Sequence, residues 1–317
     1  MQVVCDNIDR VATLEIRGRG LPRGVIARLY GAARGRGSPL SLRCARVLDR
    51  VCRRRGRVAI VTGLYDPVHF PNGESDGPLG AVVLGRSLGL NGASVTYLVE
   101  PEVTGVMEGL AKVLGTDCRC TALSREDEAF NTSLAAEFDA AVFIEKIGAS
   151  PKGVYHLVTG TARPKYDSSV VGFLEEMSRA EKPTIGIGDG GNEIGFGRIY
   201  KAARKIVPYG TECLCPEREG IVTSMATQLV FPACTSNIGA YAICAALALV
   251  TGRRDLLHTP AAETRLIAAT VPLNSIDGGS GMARKYVDGI PSSVNAAIVE
   301  VMRGMVETYR AKPLRTF

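Results

Sequence analysis

The chain has 317 residues, 46% of them hydrophobic and 22% charged, with a formal net charge of +6 and no tryptophan. That composition excludes a disordered, collagen-like or disulfide-scaffold protein and fits a globular chain able to bury a large core. The longest apolar run, Ala240 to Val250, is too short to span a bilayer, so no membrane partner is expected.

The positive excess sits between Arg17 and Arg57, where arginines are numerous and Asp49 is the only acid. A basic stretch can address nucleic acid or a membrane surface. This one holds Tyr30 as its single aromatic, which is a poor match to single-strand binders, so no nucleic-acid partner is expected. Leu29, Leu40, Leu42, Val47, Leu48 and Val51 recur at helical spacing. Residues 1–55 therefore read as an N-terminal helical arm packed on the core, with its arginines on a solvated face. The nine cysteines include no C-x-x-C, only the C-x-C pairs Cys118/Cys120 and Cys213/Cys215, and there are three histidines. That spacing argues against a structural zinc. No signal peptide is visible at the start, so a reducing, cytoplasmic setting is expected, with room for one internal disulfide.

From residue 56 onward, strands alternate with helices. Arg57 to Thr62 is short, β-branched and bounded by Arg and Gly, which predicts a buried strand. A helix over 78–90 follows, with Asp76 placed to cap it and Pro78 in its first turn. Strands are then predicted over 94–99, 117–123, 140–144 and 184–187, and helices over 102–114, 126–137, 168–180, 238–250, 262–269 and 292–309. Residues 222–231 fit either element. Residues 56–317 thus form an α/β domain: three layers, with a mostly parallel sheet flanked by helices. Ligands of such sheets sit outside the carboxyl ends of the strands, so the loops there carry the candidate chemistry.

The loop after the first strand, Thr62 to Pro78, is long for a βα connection and holds Thr62, Gly63, Asp66, His69, Glu74, Asp76 and Gly77. The turn after the 184–187 strand reads GDGGNEIGFG, Gly188 to Gly197. Gly186, Gly188 and Gly191 match the dinucleotide fingerprint by letter, but Asp189 falls where a pyrophosphate would approach, and a carboxylate repels phosphate. Asp189, Gly190, Gly191, Asn192 and Glu193 suit a cation better, either a metal or a substrate ammonium; capping of a following helix is the plainer alternative. A third acidic turn, Asn274 to Gly281, presents Asp277 and Gly278, and Asp288 to Pro291 reads as a turn into the last helix. Glu145 and Lys146 directly follow a strand, while Ser236 and Asn237 open an apolar helix as caps or ligand groups. His156 and His258 lack any motif.

Five blocks, VTGLYDP…ESDGPLGA, IEKIGASPKGVYH, IGIGDGGNEIGFG, TSNIGAYAI and SIDG, run in order from Val58 to Gly278. Together they resemble the D-glutamate cyclase C-terminal-domain family, and Ile8 to Leu48 is similar to that family's lead-in helices. The resemblance implies a carbon–oxygen lyase that dehydrates D-glutamate to 5-oxo-D-proline. Such chemistry needs one carboxylate as base and one protonated carboxyl as acid. Asp189, Glu193 and Glu145 are the expected catalytic residues. Thr62, Gly63, Asp66, Glu74, Asp76, Gly77, Lys146, Gly190, Gly191, Asn192, Ser236, Asn237, Asp277 and Gly278 would bind an acidic amino acid, with its α-carboxylate at the helix start after Gly77 or against Lys146. The sequence calls for no particular cofactor and leaves the metal requirement open. If a metal is bound, Mg²⁺ on Asp66, Asp189 and Glu193 fits its preference for hard oxygens. The alternatives are a Mg²⁺-dependent enzyme of phosphorylated or nucleotide ligands, and a non-catalytic amino-acid-binding protein. A homo-oligomer is compatible with the sequence.

Overall fold

The computed structural model describes residues 1–18 and 20–311; Arg19 and residues 312–317, the end of the expected α/β domain, lie outside it. The chain opens with α1 (Gln2–Ala12), α2 (Ile26–Arg34) and α3 (Leu40–Arg53). Next come β1 (Arg57–Thr62), α4 (Asp76–Leu90), β2 (Ser94–Val99), α5 (Thr104–Leu114), β3 (Cys120–Ala122), α6 (Glu128–Ser133) and β4 (Ala140–Ile144). A short hairpin of β5 (Tyr155–His156) and β6 (Ala162–Arg163) precedes α7 (Val171–Arg179), β7 (Thr184–Gly188), α8 (Tyr200–Ile206) and β8 (Leu229–Pro232). The chain then runs through α9 (Ser236–Thr251), α10 (Pro260–Thr270), a hairpin of β9 (Tyr286–Val287) and β10 (Ile290–Pro291), and α11 (Ser292–Arg310).

The main sheet has the order β3-β2-β1-β4-β7-β8, with every pairing parallel. It is a three-layer α/β fold. Alternation along β1 sends Val58 and Ile60 into one core and Ala59 and Val61 into the other. The first core is covered by α3, α4, α5 and α9, and the second by α7 and the 3₁₀ turn over Leu134–Glu137. Helix α9 is apolar nearly all round and buried from Ser236 to Leu249, as a helix enclosed on every side must be. The arm joins this core directly: Ile8 of α1 and Cys44 and Leu48 of α3 are fully buried within it.

Some elements differ from expectation. At the sheet edge β3 pairs only with β2 and spans Cys120–Ala122 rather than 117–123. The 126–137 helix divides because Asp127 caps α6 at the Phe130 N–H (2.8 Å) and the chain tightens into a 3₁₀ turn from Leu134. The ambiguous 222–231 stretch yields the edge strand β8, ending on Pro232, where no further ladder donor is needed.

The sheet grows outward from β1 to β2 and β3 on one side, and from β4 to β7 and β8 on the other. The connections therefore change direction between β1 and β4. That opens a crevice at the carboxyl ends of those strands.

Candidate active site

The crevice is closed at its floor by Thr62, the last residue of β1, whose Oγ1 donates to the Ile144 carbonyl at the end of β4 (2.8 Å). Helix α4 starts directly above. A Cβ on Gly77 would lie 3.1 Å from both Glu145 Cβ and the Ile144 carbonyl, so only glycine lets α4 seat this closely. Gly63 has a φ of +94°, which turns the chain out of β1. Glu145, the first residue after β4, has a φ of +48°. That left-handed conformation costs a non-glycine residue about 1–2 kcal/mol and is characteristic of functional sites.

Acids from separate segments meet over this floor. The Asp189, Glu193 and Glu145 oxygens lie within 4.8 Å of one another, as do those of Asp76, Asp189 and Asp288. Asp76 is not the cap of its own helix. Its Oδ2 accepts from the Ser236 N–H (2.8 Å) and its Oδ1 from the Asn237 N–H (2.6 Å), so it caps α9 across the crevice. Ser236 Oγ donates to Glu145 Oε2 (2.5 Å) and fixes that carboxylate's direction. The Asn237 amide group donates to Asn295 Oδ1 (3.3 Å), anchoring α9 against α11. Glu74 and Asp288 meet at Gly278, where a Cβ would stand 2.8 Å from Asp288 Oδ1. Asp277 accepts from the Gly289 N–H (2.9 Å) and so holds the turn that presents Asp288.

The GDGGNE turn explains its own glycines. A Cβ on Gly186 would meet Gly195 Cα at 2.8 Å, and one on Gly188 would meet Glu193 Cβ at 2.9 Å. The glycines let the turn fold back onto β7, which leaves the dinucleotide reading without its structural context. Gly191 takes a φ of +94°. Glu193 Oε1 accepts from the Asp189 and Gly190 N–H groups and Oε2 from the Gly191 N–H, each at 2.7 Å. Its carboxylate is therefore built into the turn as a brace, a different placement from the free acid or base expected of it. Asn192 points away, donating to the His156 carbonyl (2.8 Å).

Two expected site residues stand apart from this cluster. Lys146 is 1% exposed, and its Nζ donates to Glu100 Oε1 (2.6 Å) and the Gly63 carbonyl (3.3 Å). It is committed inside the protein and offers no seat for a substrate carboxylate. Asp66 accepts from the Val68 and His69 N–H groups (2.9 and 3.0 Å), organising its own loop. It belongs to neither acid triple, so the metal set Asp66, Asp189 and Glu193 is not assembled.

The cation of the site comes from the arm. Arg17, 5% exposed, places NH1 2.8 Å from Asp189 Oδ1, and the Gly18 N–H donates to the Asp288 carbonyl (2.9 Å). The expectation of arginines on a solvated helix face fails at this residue. The available signal was its setting in a glycine-bearing coil between α1 and α2 rather than on a helix face. Asp288 and Glu100 were also missed. Asp-Gly is too common a turn for Asp288 to stand out, and Glu100 finds its partner only through the fold.

Among the described residues Arg17 is the one arginine paired with these acids, and it does not balance them. Burial, then the neighbouring acids, pushes the Glu74 and Glu145 carboxyls well above the usual range. Burial does the same to Asp189, against the opposing pull of Arg17. Asp76 is pushed up to about 8 by burial and by Asp189, despite its two N–H donors. Asp288 is pushed up to about 7 by burial and by Asp76, and its side chain is within hydrogen-bonding reach of Asp189. Near neutrality the cluster thus holds both ionised and protonated carboxyls, as crowded acids must. Among the described residues, Asp277 Oδ2 is buried without a partner, and Asp189 Oδ2 is buried with no donor other than a neighbouring carboxyl. The larger surface cavities, such as one of 510 Å³ beside Ala149 and Met225 and one of 440 Å³ beside Arg86 and Tyr97, are lined by none of these acids.

A family model described as D-glutamate cyclase-like, C-terminal, matches residues 28–303. The chain belongs to the D-glutamate cyclase-like, C-terminal family. The human mitochondrial D-glutamate cyclase is 28% identical over 212 residues, which cover 60% of this chain and 32% of the human protein. The match thus spans about a third of that relative's length. Among solved structures, RecJ from Thermus thermophilus with Mn²⁺ aligns at a TM-score of 0.35 and 15% identity, over 83% of this chain and 32% of RecJ. An exonuclease RecJ bound to manganese aligns at 0.34 and 15%, over 84% of this chain and 64% of that one. These superpositions are too loose to carry an argument. Among the described residues no helix is long and apolar enough to cross a membrane.

Proposed function

We propose that this member of the family is a hydro-lyase that cyclises D-glutamate to 5-oxo-D-proline by carboxylate acid–base catalysis, in a reducing, cytoplasmic setting. The observation that carries the reading is the convergence of Asp76, Glu145, Asp189 and Asp288 with, among the described residues, Arg17 as their buried arginine, a crowding that raises the Asp76 and Asp288 carboxyls. In the reaction the amine nitrogen bonds to its own γ-carboxyl carbon and one C–O bond breaks, releasing water. The nitrogen gives up two protons in all, one before it attacks and one as the amide forms, and the departing γ-carboxylate oxygen takes up two to leave as water.

An acid-rich site attracts the ammonium. Asp189, with Oδ1 facing Arg17 and its side chain within reach of Asp288, is the proposed base. Glu145, oriented by Ser236 and raised towards its protonated form, is the proposed acid for the departing hydroxyl. Asp76 and Asp288 are further proton holders, and Glu193 keeps the turn rigid. With Lys146 committed to Glu100, the remaining proposed seat for the α-carboxylate is the start of α4 after Gly77. Holding amine and γ-carboxyl together is itself worth about 7–11 kcal/mol in favourable cases. Incubating the protein with D- and L-glutamate and resolving the products by chiral chromatography tests this. Oxoproline from the D-isomer supports it; recovery of both isomers unchanged would leave an amino-acid-binding protein.

A second reading rests on the Asp76, Asp189 and Asp288 oxygens lying within 4.8 Å of one another. Three hard oxygen donors suit Mg²⁺, which would serve an enzyme of phosphorylated or nucleotide ligands. Loss of activity in chelator, restored by Mg²⁺, would favour it.

A further inference from the structure

Behind the GDGGNE turn lies a second cluster of different chemistry. His156 closes β5, and its Nε2 lies 3.3 Å from Cys215 Sγ. Cys213 Sγ lies 2.7 Å from Cys215 Sγ. The imidazole nitrogen and both sulfurs fall within 4.8 Å of one another, and all three residues are buried. The sequence alone spoke against zinc because a C-x-C pair has no second pair near it. The fold supplies the missing ligand from 57 positions earlier in the chain, where the β5–β6 hairpin folds back on the Cys213–Cys215 turn.

We propose that His156, Cys213 and Cys215 form a binding site for one soft divalent cation, of which Zn²⁺ is the fitting example. Imidazole and thiolates are the donors such an ion selects, and three protein ligands leave a fourth position for water or an acid. A tetrahedral ion with Zn–S of about 2.3 Å and Zn–N of about 2.0 Å sets its sulfurs about 3.8 Å apart. The two sulfurs would separate by about 1 Å on binding, within the reach of side-chain rotation in a C-x-C turn. Binding releases two protons as the thiols become thiolates, and the imidazole binds neutral.

The surroundings match a built metal site. The Leu214 N–H donates to the Gly160 carbonyl (2.7 Å), pinning the cysteine turn to the hairpin before any metal arrives. The backbone N–H groups of Glu219 and Gly220 face Cys213, and those of Glu217 and Arg218 face Cys215. Such donors favour thiolate sulfur. Glu219, with a buried Oε2, lies near the His156 ring but outside the three-residue cluster. The fourth position is left to water. Leu214 is largely exposed, which gives the ion a path from solvent.

The consequence is mechanical. The His156 carbonyl accepts from Asn192 of the GDGGNE turn. A cation joining His156 to Cys213 and Cys215 would staple the 155–163 hairpin and the 211–220 loop behind the turn that carries Asp189. The site stands whether or not the acid cluster is a cyclase.

The test is metal content, not activity. Protein purified under reducing conditions and equilibrated with Zn²⁺ is expected to retain one equivalent per chain after gel filtration. Replacing Zn²⁺ by Co²⁺ is expected to give thiolate-to-cobalt charge-transfer absorption. Cys215→Ser and His156→Asn should each lower retention at least tenfold, and Cys120→Ser, in the other C-x-C pair, should not. If a variant fails to fold by circular dichroism, the wild-type cobalt spectrum decides. Absence of thiolate bands would overturn the site, as would unchanged retention in the folded variants. So would a Cys213–Cys215 disulfide whose reduced form takes up no metal.

Discussion

The Lys146–Glu100 centre and the Arg17–Asp189 centre both bury charge near the carboxyl ends of the sheet, and they balance it differently. Glu100 is fully buried and accepts from Lys146 Nζ (2.6 Å), the Ser168 N–H (2.9 Å) and Ser168 Oγ (2.8 Å), with Arg125 3.4 Å away. Its charge is met from several sides. Asp189 has Arg17 on one oxygen and, among the described residues, only other acids besides: Asp288 within hydrogen-bonding reach, with Asp76, Glu145 and Glu193 around it. A satisfied ionic centre fixes structure, whereas an unsatisfied one stores proton affinity and invites a cationic ligand. The same sheet supports both because one faces a closed interior and the other a crevice at the switch point.

Substitutions can break this contrast. Asp189→Asn should show the largest effect, lowering oxoproline formation about 10²–10⁴-fold, the range for loss of a positioned base. Its thermal denaturation should still be cooperative. Lys146→Met should do the reverse: about 3 kcal/mol of stability is lost in chemical denaturation because buried Glu100 loses its ammonium and keeps only Ser168 and the more distant Arg125. The double change with Glu100→Gln should recover much of that loss. Glu193→Gln leaves one acceptor oxygen for three N–H donors, and should cost about 1–3 kcal/mol together with some activity.

The smallest effect concerns pH. Asp76 and Asp288 have folded pKa values of about 8 and about 7, above the ordinary 3.8. Each therefore binds its proton more tightly when folded. The stability this confers is fully present below pH 3.8 and is lost as pH rises through about 7 and about 8. Denaturation midpoints should accordingly fall across that window. Asp288→Asn should make the fall shallower by at most about 1.4 kcal/mol per pH unit, the slope that one extra bound proton contributes. An unchanged slope would remove Asp288 from the cluster's titration.

The parallel sheet was legible because each strand is a short β-branched run between helices of different period, as in Arg57–Thr62 followed by Asp76–Leu90. That also located the acid-bearing loops, since parallel strands put their carboxyl ends on one side. Partnership inside the site was not legible. Asp76 and Lys146 each carry charge beside a strand end, and nothing local says that one caps α9 while the other turns inward to Glu100. Arg17 was hidden by its company: it shares its coil with Arg23 and its neighbourhood with many helical arginines, and only the fold sends it to Asp189. His156 and Cys215 are 59 residues apart, and only the fold makes them neighbours.

The account's central claim is that the cluster around Asp189 keeps carboxyls protonated near neutral pH. Infrared titration of the carboxylic-acid carbonyl stretch measures this directly. The expected result is a protonated-carboxyl band that persists at pH 7, fades towards about pH 8, and is weaker in Asp76→Asn and Asp288→Asn. A wild-type spectrum in which every carboxyl is ionised by about pH 6, as for ordinary surface acids, would contradict it.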